Sequence, residues 1–195
     1  MRIHCSVIRF SAAIMLAAAI ATVLLPAALR AQEARIEDMV VSNNRDDLLL
    51  FAKVEGAFTE KMRQAVLNGI PTSFSFIVRL KKINSFILPD STVAERKVTH
   101  TIKYENLKKR FTIKRSWEDN RALTTDSFEE ARQWMSEIKS LAVAPMKELE
   151  EGKRYRLRAK AELDKVELPF YLNYVFFFVS LWDFETDWHE IEFVY

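Results

Sequence analysis

An α+β fold is predicted by three features of this sequence: a mainly antiparallel sheet, sandwich-like or curved, carrying two short helices after an N-terminal signal segment. Runs of alternating apolar and polar residues recur from Leu48 to the end of the chain, and a two-residue period is what a half-buried strand requires. Only two stretches combine a capping residue with apolar positions at helical spacing. The chain has no internal repeat, no low-complexity tract and no Pro/Gly/Ser linker, so residues 32–195 read as one domain.

The elements follow in order. Leu48, Leu50, Ala52 and Val54 alternate with Leu49, Phe51, Lys53 and Glu55, and Phe74, Phe76, Val78 and Leu80 alternate with Ser75, Ile77 and Arg79. Both segments are expected to be strands. Between them Thr59 caps a short helix running to Asn68, which Gly69 ends and Pro71 cannot continue. A hairpin comes next: Val98, His100, Ile102 and Tyr104 share one strand face, Asn106 to Lys108 turns, and Phe111, Ile113 and Trp117 return. Asp126 or Ser127 then caps a helix carrying Phe128, Ala131, Met135 and Ile138. After Gly152, a long strand places Tyr155, Leu157, Ala159, Ala161 and Leu163 on one side, and Trp188 to Tyr195 forms the last strand.

The first 31 residues predict an address. Arg2 and Arg9 form a basic head, Phe10 to Leu29 carries no charge, and Pro26 interrupts the apolar run before small residues. This is the pattern of a secretory signal. Cleavage is expected after Ala31. Leu29 is large for the position three residues before that cut, and twenty uncharged residues approach the length of a bilayer span, so the alternative is an inner-membrane anchor over residues 10–29. Either way the remainder is expected in the periplasm or otherwise exported. The chain has 29 basic and 27 acidic residues, and without Arg2, Arg9 and Arg30 the balance is 26 to 27. So even a charge argues against nucleic-acid binding, which calls for a strongly basic domain.

Catalytic and metal chemistry find little to use. The one cysteine, Cys5, lies in the basic head, which removes a disulfide framework, a thiolate zinc site and a thiol nucleophile from the exported part. No Gly-x-Ser-x-Gly elbow, His-Glu-x-x-His helix or glycine-rich phosphate loop occurs. His100 alternates with Val98 and Ile102, which predicts a core or strand-face histidine. Asp183, Glu185, Asp187 and His189 alternate, but alternate strand residues are about 7 Å apart, too far for one small cation. No metal, cofactor or catalytic residue is therefore assigned.

Two segments remain as binding candidates. Leu168 to Trp182 is uncharged, and eight aromatic residues lie from Phe170 to Phe184. Phe170, Tyr174, Phe177 and Trp182 represent either buried core or the lining of an apolar groove. Apolar residues fall on every face, so helix and strand both stay open for 169–182. The second candidate is basic. Arg154, Arg156, Arg158 and Lys160 occupy four successive positions opposite the apolar side of their strand, and Lys97, Lys103, Arg110 and Lys114 join them if the hairpin belongs to the same sheet. Like charges on one strand repel unless acidic neighbours or a partner compensate.

Several short motifs in order resemble one bacterial family. They are Asn68-Gly69-Ile70-Pro71 before the Phe-rich strand, His100-x-x-x-Tyr104 with Leu107 and Phe111, and Ser127-Phe128-Glu129-Glu130-Ala131. Gly152-x-x-Tyr155, Leu163-Asp164, Leu168-Pro169 and Trp182-x-Phe184-x-Thr186-x-Trp188 complete the set. From Ile36 to Trp188 the chain resembles domain of unknown function 4390, exported proteins of proteobacteria. That resemblance implies an exported domain, often encoded beside a membrane sensor kinase, and no catalytic residue. The expected function is a non-catalytic envelope interaction module binding a protein or an anionic membrane surface. A carrier of lipid or small apolar ligands is the alternative, and a hydrolytic enzyme comes third.

Overall fold

The computed structural model describes residues 34–84, 88–119, 121–164 and 185–195. Along these residues the chain forms β1 (Arg35–Asn43), β2 (Asp47–Glu55), α1 (Glu60–Leu67), β3 (Thr72–Lys82), β4 (Ser91–Glu105) and β5 (Arg110–Arg115). It continues through β6 (Ala122–Thr125), α2 (Phe128–Ser136), β7 (Glu137–Pro145), β8 (Arg154–Leu163) and β9 (His189–Val194). Two antiparallel sheets result, a small one in the order β1-β2-β7 and a large one in the order β6-β5-β4-β3-β8-β9. This is the α+β, sheet-dominated architecture that the alternation predicts.

Packing follows from the period of two. In β3, Phe74, Phe76, Val78 and Leu80 are buried, and in β8 the same holds for Tyr155, Leu157, Ala159, Ala161 and Leu163. These residues share the inner face of the large sheet. The small sheet covers part of it, with β7 against β3 and β4 and β1 against β8 and β9, while α1 and α2 pack on the β4–β6 end. Leu50, Val54, Met62, Val66, Ala131 and Met135 complete one continuous core.

Both helices begin as the sequence predicts. Met62 N–H donates to Thr59 Oγ1 at 3.3 Å and Glu130 N–H to Ser127 Oγ at 3.3 Å, satisfying amides that a helix start leaves without partners. The end of α1 is a Schellman turn: Gly69 sits at φ +83, and the Ile70 and Gly69 amides return to the Ala65 and Val66 carbonyls. Ser127→Ala and Thr59→Ala are each expected to cost about 1 kcal/mol in urea unfolding. A cost near zero for both would show that these caps add nothing.

Four expectations change. Ile138 does not extend α2: the helix stops at Ser136, and Ile138 is a buried residue of β7. Trp117 falls in a 3-10 turn after β5 instead of continuing the strand. The β4–β5 turn takes in Lys109, at φ +49. The last strand is His189–Val194, shorter at both ends than expected.

Strands β1, β6 and β7 are additional to those predicted. Alternation is broken in β1 between Glu37 and Val40, where Asp38 sits at φ +50, and in β7 around Ser140, at φ +61. These bulges lie on the two edge strands of the small sheet, where an extra residue twists the edge away from further pairing. The β7 edge is also engaged by Arg96, whose Nε donates to the Val143 carbonyl at 3.1 Å.

Candidate functional site

The outer face of the large sheet carries the basic residues. Register places Arg79 beside Arg158, Lys81 beside Arg156 and Ile77 beside Lys160, while β9 sets Glu190 beside Arg158 and Glu192 beside Arg156. Arg154, Arg156, Arg158 and Lys160 therefore do share one side of β8, and each has an acidic neighbour. Arg156 reaches Glu192 at 2.6 Å and Asp90 at 3.2 Å, and Arg154 reaches Glu192 at 2.7 Å. Arg158 lies 3.3 Å from Glu190, and Lys160 pairs with Glu185 and, at 3.7 Å, with Glu162. The hydrogen bond from Arg156 holds the Glu192 carboxyl below the usual range, and the bond to Glu185 raises the Lys160 ammonium.

Trp188 adds to this neutralised end. Its ring lies under the Arg79 and Arg158 guanidiniums, at 5.0 and 4.9 Å, and 5.4 Å from Lys160 Nζ. Arg79 Nε is buried without a hydrogen-bond acceptor and Arg158 Nε has only its 3.3 Å ion pair with Glu190, and the electron-rich indole face offers these cations a favourable neighbour. The cation–indole cluster was not predicted. Acids on adjacent strands were expected as one way to compensate the row; that Glu190 and Glu192 supply them was not named, and their signal is the alternation of Glu190, Glu192 and Val194 in phase with the arginines across the sheet.

The β4–β5 end differs. Lys103 stands opposite Thr112, Lys114 opposite Thr101 and Arg110 opposite Glu105, so every second rung of this ladder presents a cation on the outer face. Lys103, Arg110 and Lys114 are exposed, and none of them makes an ion pair among the described residues, although the charge of Lys103 also acts on Glu105. Glu105 is already taken: Lys108 binds it at 2.8 Å and holds its carboxyl below the usual range. Lys97 is bound at 3.1 Å by Glu162. On the other side of β4, hydroxyls pair along the β3–β4 ladder, with Ser73 and Thr101 hydrogen-bonded at 2.8 Å and the buried Ser75 and Thr99 at 3.2 Å.

His100 is buried on the opposite, inner face. Its Nδ1–H donates to the Met135 carbonyl at 2.9 Å, and its Nε2 accepts from the Trp117 indole N–H at 3.0 Å. Burial pushes its pKa down to about 4; the Met135 bond opposes that shift and the Arg115 charge adds to it. Arg115, the register partner of His100, donates from Nε and Nη2 to the Trp134 carbonyl at 3.2 and 2.9 Å and pairs with Glu118 at 3.1 Å. Together His100 and Arg115 satisfy the last carbonyls of α2, which has no basic residue of its own in its final turn. Arg115 was missed although the sequence carries its signal, a cation in phase with apolar Phe111 and Ile113.

The other sequence candidates lie elsewhere. Phe170, Tyr174, Phe177, Trp182 and Asp183 are outside the described residues. Glu185 is engaged by Lys160, and no group of three potential metal ligands occurs among the described residues. No helix among them is long and apolar enough to cross a membrane.

Comparison with known proteins finds a single kind of likeness. A family described as domain of unknown function (DUF4390) matches residues 31–192. No curated protein and no solved structure matches the chain.

Proposed function

The chain belongs to the DUF4390 family, and from that premise we propose that it is an exported, non-catalytic interaction module of the cell envelope whose large sheet meets an anionic partner. The observation that carries this reading is the contrast within one sheet face. The β8 cations are ion-paired with acids of the same chain, whereas Lys103, Arg110 and Lys114 make no ion pair among the described residues, the nearby Glu105 being bound by Lys108. Exposed charge is cheap to leave solvated, but a one-signed row is also what steers an oppositely charged surface into register. His100 supports a non-catalytic role, because both of its ring nitrogens are occupied by structural bonds.

A photo-crosslinking residue placed at Lys103 in living cells is expected to yield many more adducts, protein or phospholipid, than one placed at Arg156. Equal yields from the two positions would remove the reason for choosing this end of the sheet. Cell fractionation with terminal sequencing tests the address: a protein that begins at Met1 and resides in the cytoplasm overturns export.

A further inference from the structure

The tip of the β4–β5 hairpin combines two features that seldom occur together on a solvated loop. Leu107 is 101% exposed, more than any other large apolar side chain among the described residues. Lys108, Lys109 and Arg110 follow it directly, Lys103 and Lys114 lie farther down the outer face of the ladder, and Glu105 is the one acid of the hairpin's end. The turn is built to hold this arrangement. Lys108 N–H donates to the Glu105 carbonyl at 3.1 Å, Lys109 adopts a left-handed conformation, and the tip rests on the Gly69 turn, where the Asn106 amide lies 3.4 Å from the place a Cβ would occupy. The hairpin's base is equally firm, since Ile102, Phe111 and Ile113 are core.

We propose that this tip docks on an anionic phospholipid surface, with Leu107 entering the boundary between headgroups and acyl chains while Lys103, Arg110, Lys114 and Lys109 meet lipid phosphates. The assignment rests on the reading of this end of the sheet as the partner-facing one, and it names the partner. Charge and shape favour lipid over a folded protein. A lone leucine at a convex tip offers no face for a protein core to pack on, but a fluid interface accepts a single apolar side chain, and a basic surface adds attraction to anionic lipid. The cations climb the ladder at every second rung, about 7 Å apart, a spacing on the scale of neighbouring headgroups.

The test uses the full chain with its only cysteine, Cys5, replaced by Ser and an environment-sensitive bimane attached at Asn106→Cys. A second chain carries the label at Val40→Cys, exposed on β1. So that any lipid affinity of the uncharged segment 10–29 does not count, only the difference between the two labels is read. With vesicles of phosphatidylcholine and phosphatidylglycerol, the label at 106 is expected to shift to the blue and to be quenched by brominated acyl chains, and the label at 40 is not. Leu107→Ser should raise the lipid needed for half-maximal response about tenfold. Lys103→Gln with Arg110→Gln and Lys114→Gln should raise it about a hundredfold and flatten its salt dependence. An unresponsive label at 106, equal responses from both labels, or an equal response to pure phosphatidylcholine overturns lipid docking. If adducts from Lys103 in cells then prove to be protein, the interaction face stands and only its lipid partner falls.

Discussion

Tyr155→Ala is expected to lower the unfolding free energy by about 3–5 kcal/mol, whereas Tyr155→Phe costs only about 1 kcal/mol. Tyr155 is fully buried in β8, stacks on Phe193 with ring centroids 5.8 Å apart, and accepts a hydrogen bond from Glu150 N–H at 2.8 Å. The alanine variant loses the ring from between two strands and leaves a cavity that rigid sheet backbone cannot close. The phenylalanine variant keeps the ring and gives up one bond at an exposed loop, where water can replace it. Urea titration of both variants measures the pair. Equal costs would mean that the hydroxyl, and not the packing, holds β8 in place.

The second large effect is on pH. His100 has a folded-state pKa of about 4 against an ordinary 6.5, so as the pH falls the unfolded chain takes up the proton before the folded one does. Stability from this group is complete above about pH 6.5 and is lost as the pH falls toward 4, to a total of about 3 kcal/mol. Between pH 6.5 and 5 the expected loss is about 2 kcal/mol, ahead of the range in which most carboxylates titrate. His100→Asn should be weaker at neutral pH, because the Trp117 indole N–H loses its acceptor, yet flatter across that window. Parallel pH slopes for parent and variant would assign the loss to other groups.

Legibility of the sequence tracked the regularity of each strand. Unbulged stretches of β2, β3, β4 and β8 kept strict alternation and could be read from it. In β1 and β7 a left-handed Asp38 and a left-handed Ser140 shift the phase, and β6 has only the four residues Ala122–Thr125, too few to establish a period. The cations of the candidate site were readable as exposed because they oppose apolar neighbours. Which acids compensate them was not, since Glu190 and Glu192 meet Arg158 and Arg156 only through the β8–β9 pairing, which topology decides. His100 was readable as an inner residue of its strand. Its bonds to Met135 and Trp117 depend on where α2 ends, which was expected two residues later than it is.

The central position of β3 governs how the domain is assembled in time. One side of β3 is closed by β4, the next strand in the chain, but the other waits for β8, with Phe74 paired to Leu163. β2 likewise waits for β7. Ordering so much intervening chain before such distant contacts repay it slows folding. During synthesis, therefore, the β3–β4–β5 meander forms early with one edge of β3 open, and its Phe74 and Phe76 stay uncovered until most of the polypeptide has emerged. The sheet closes only after β8 has joined, and a truncation anywhere before Leu163 leaves a sticky half-sheet in place of a smaller stable protein.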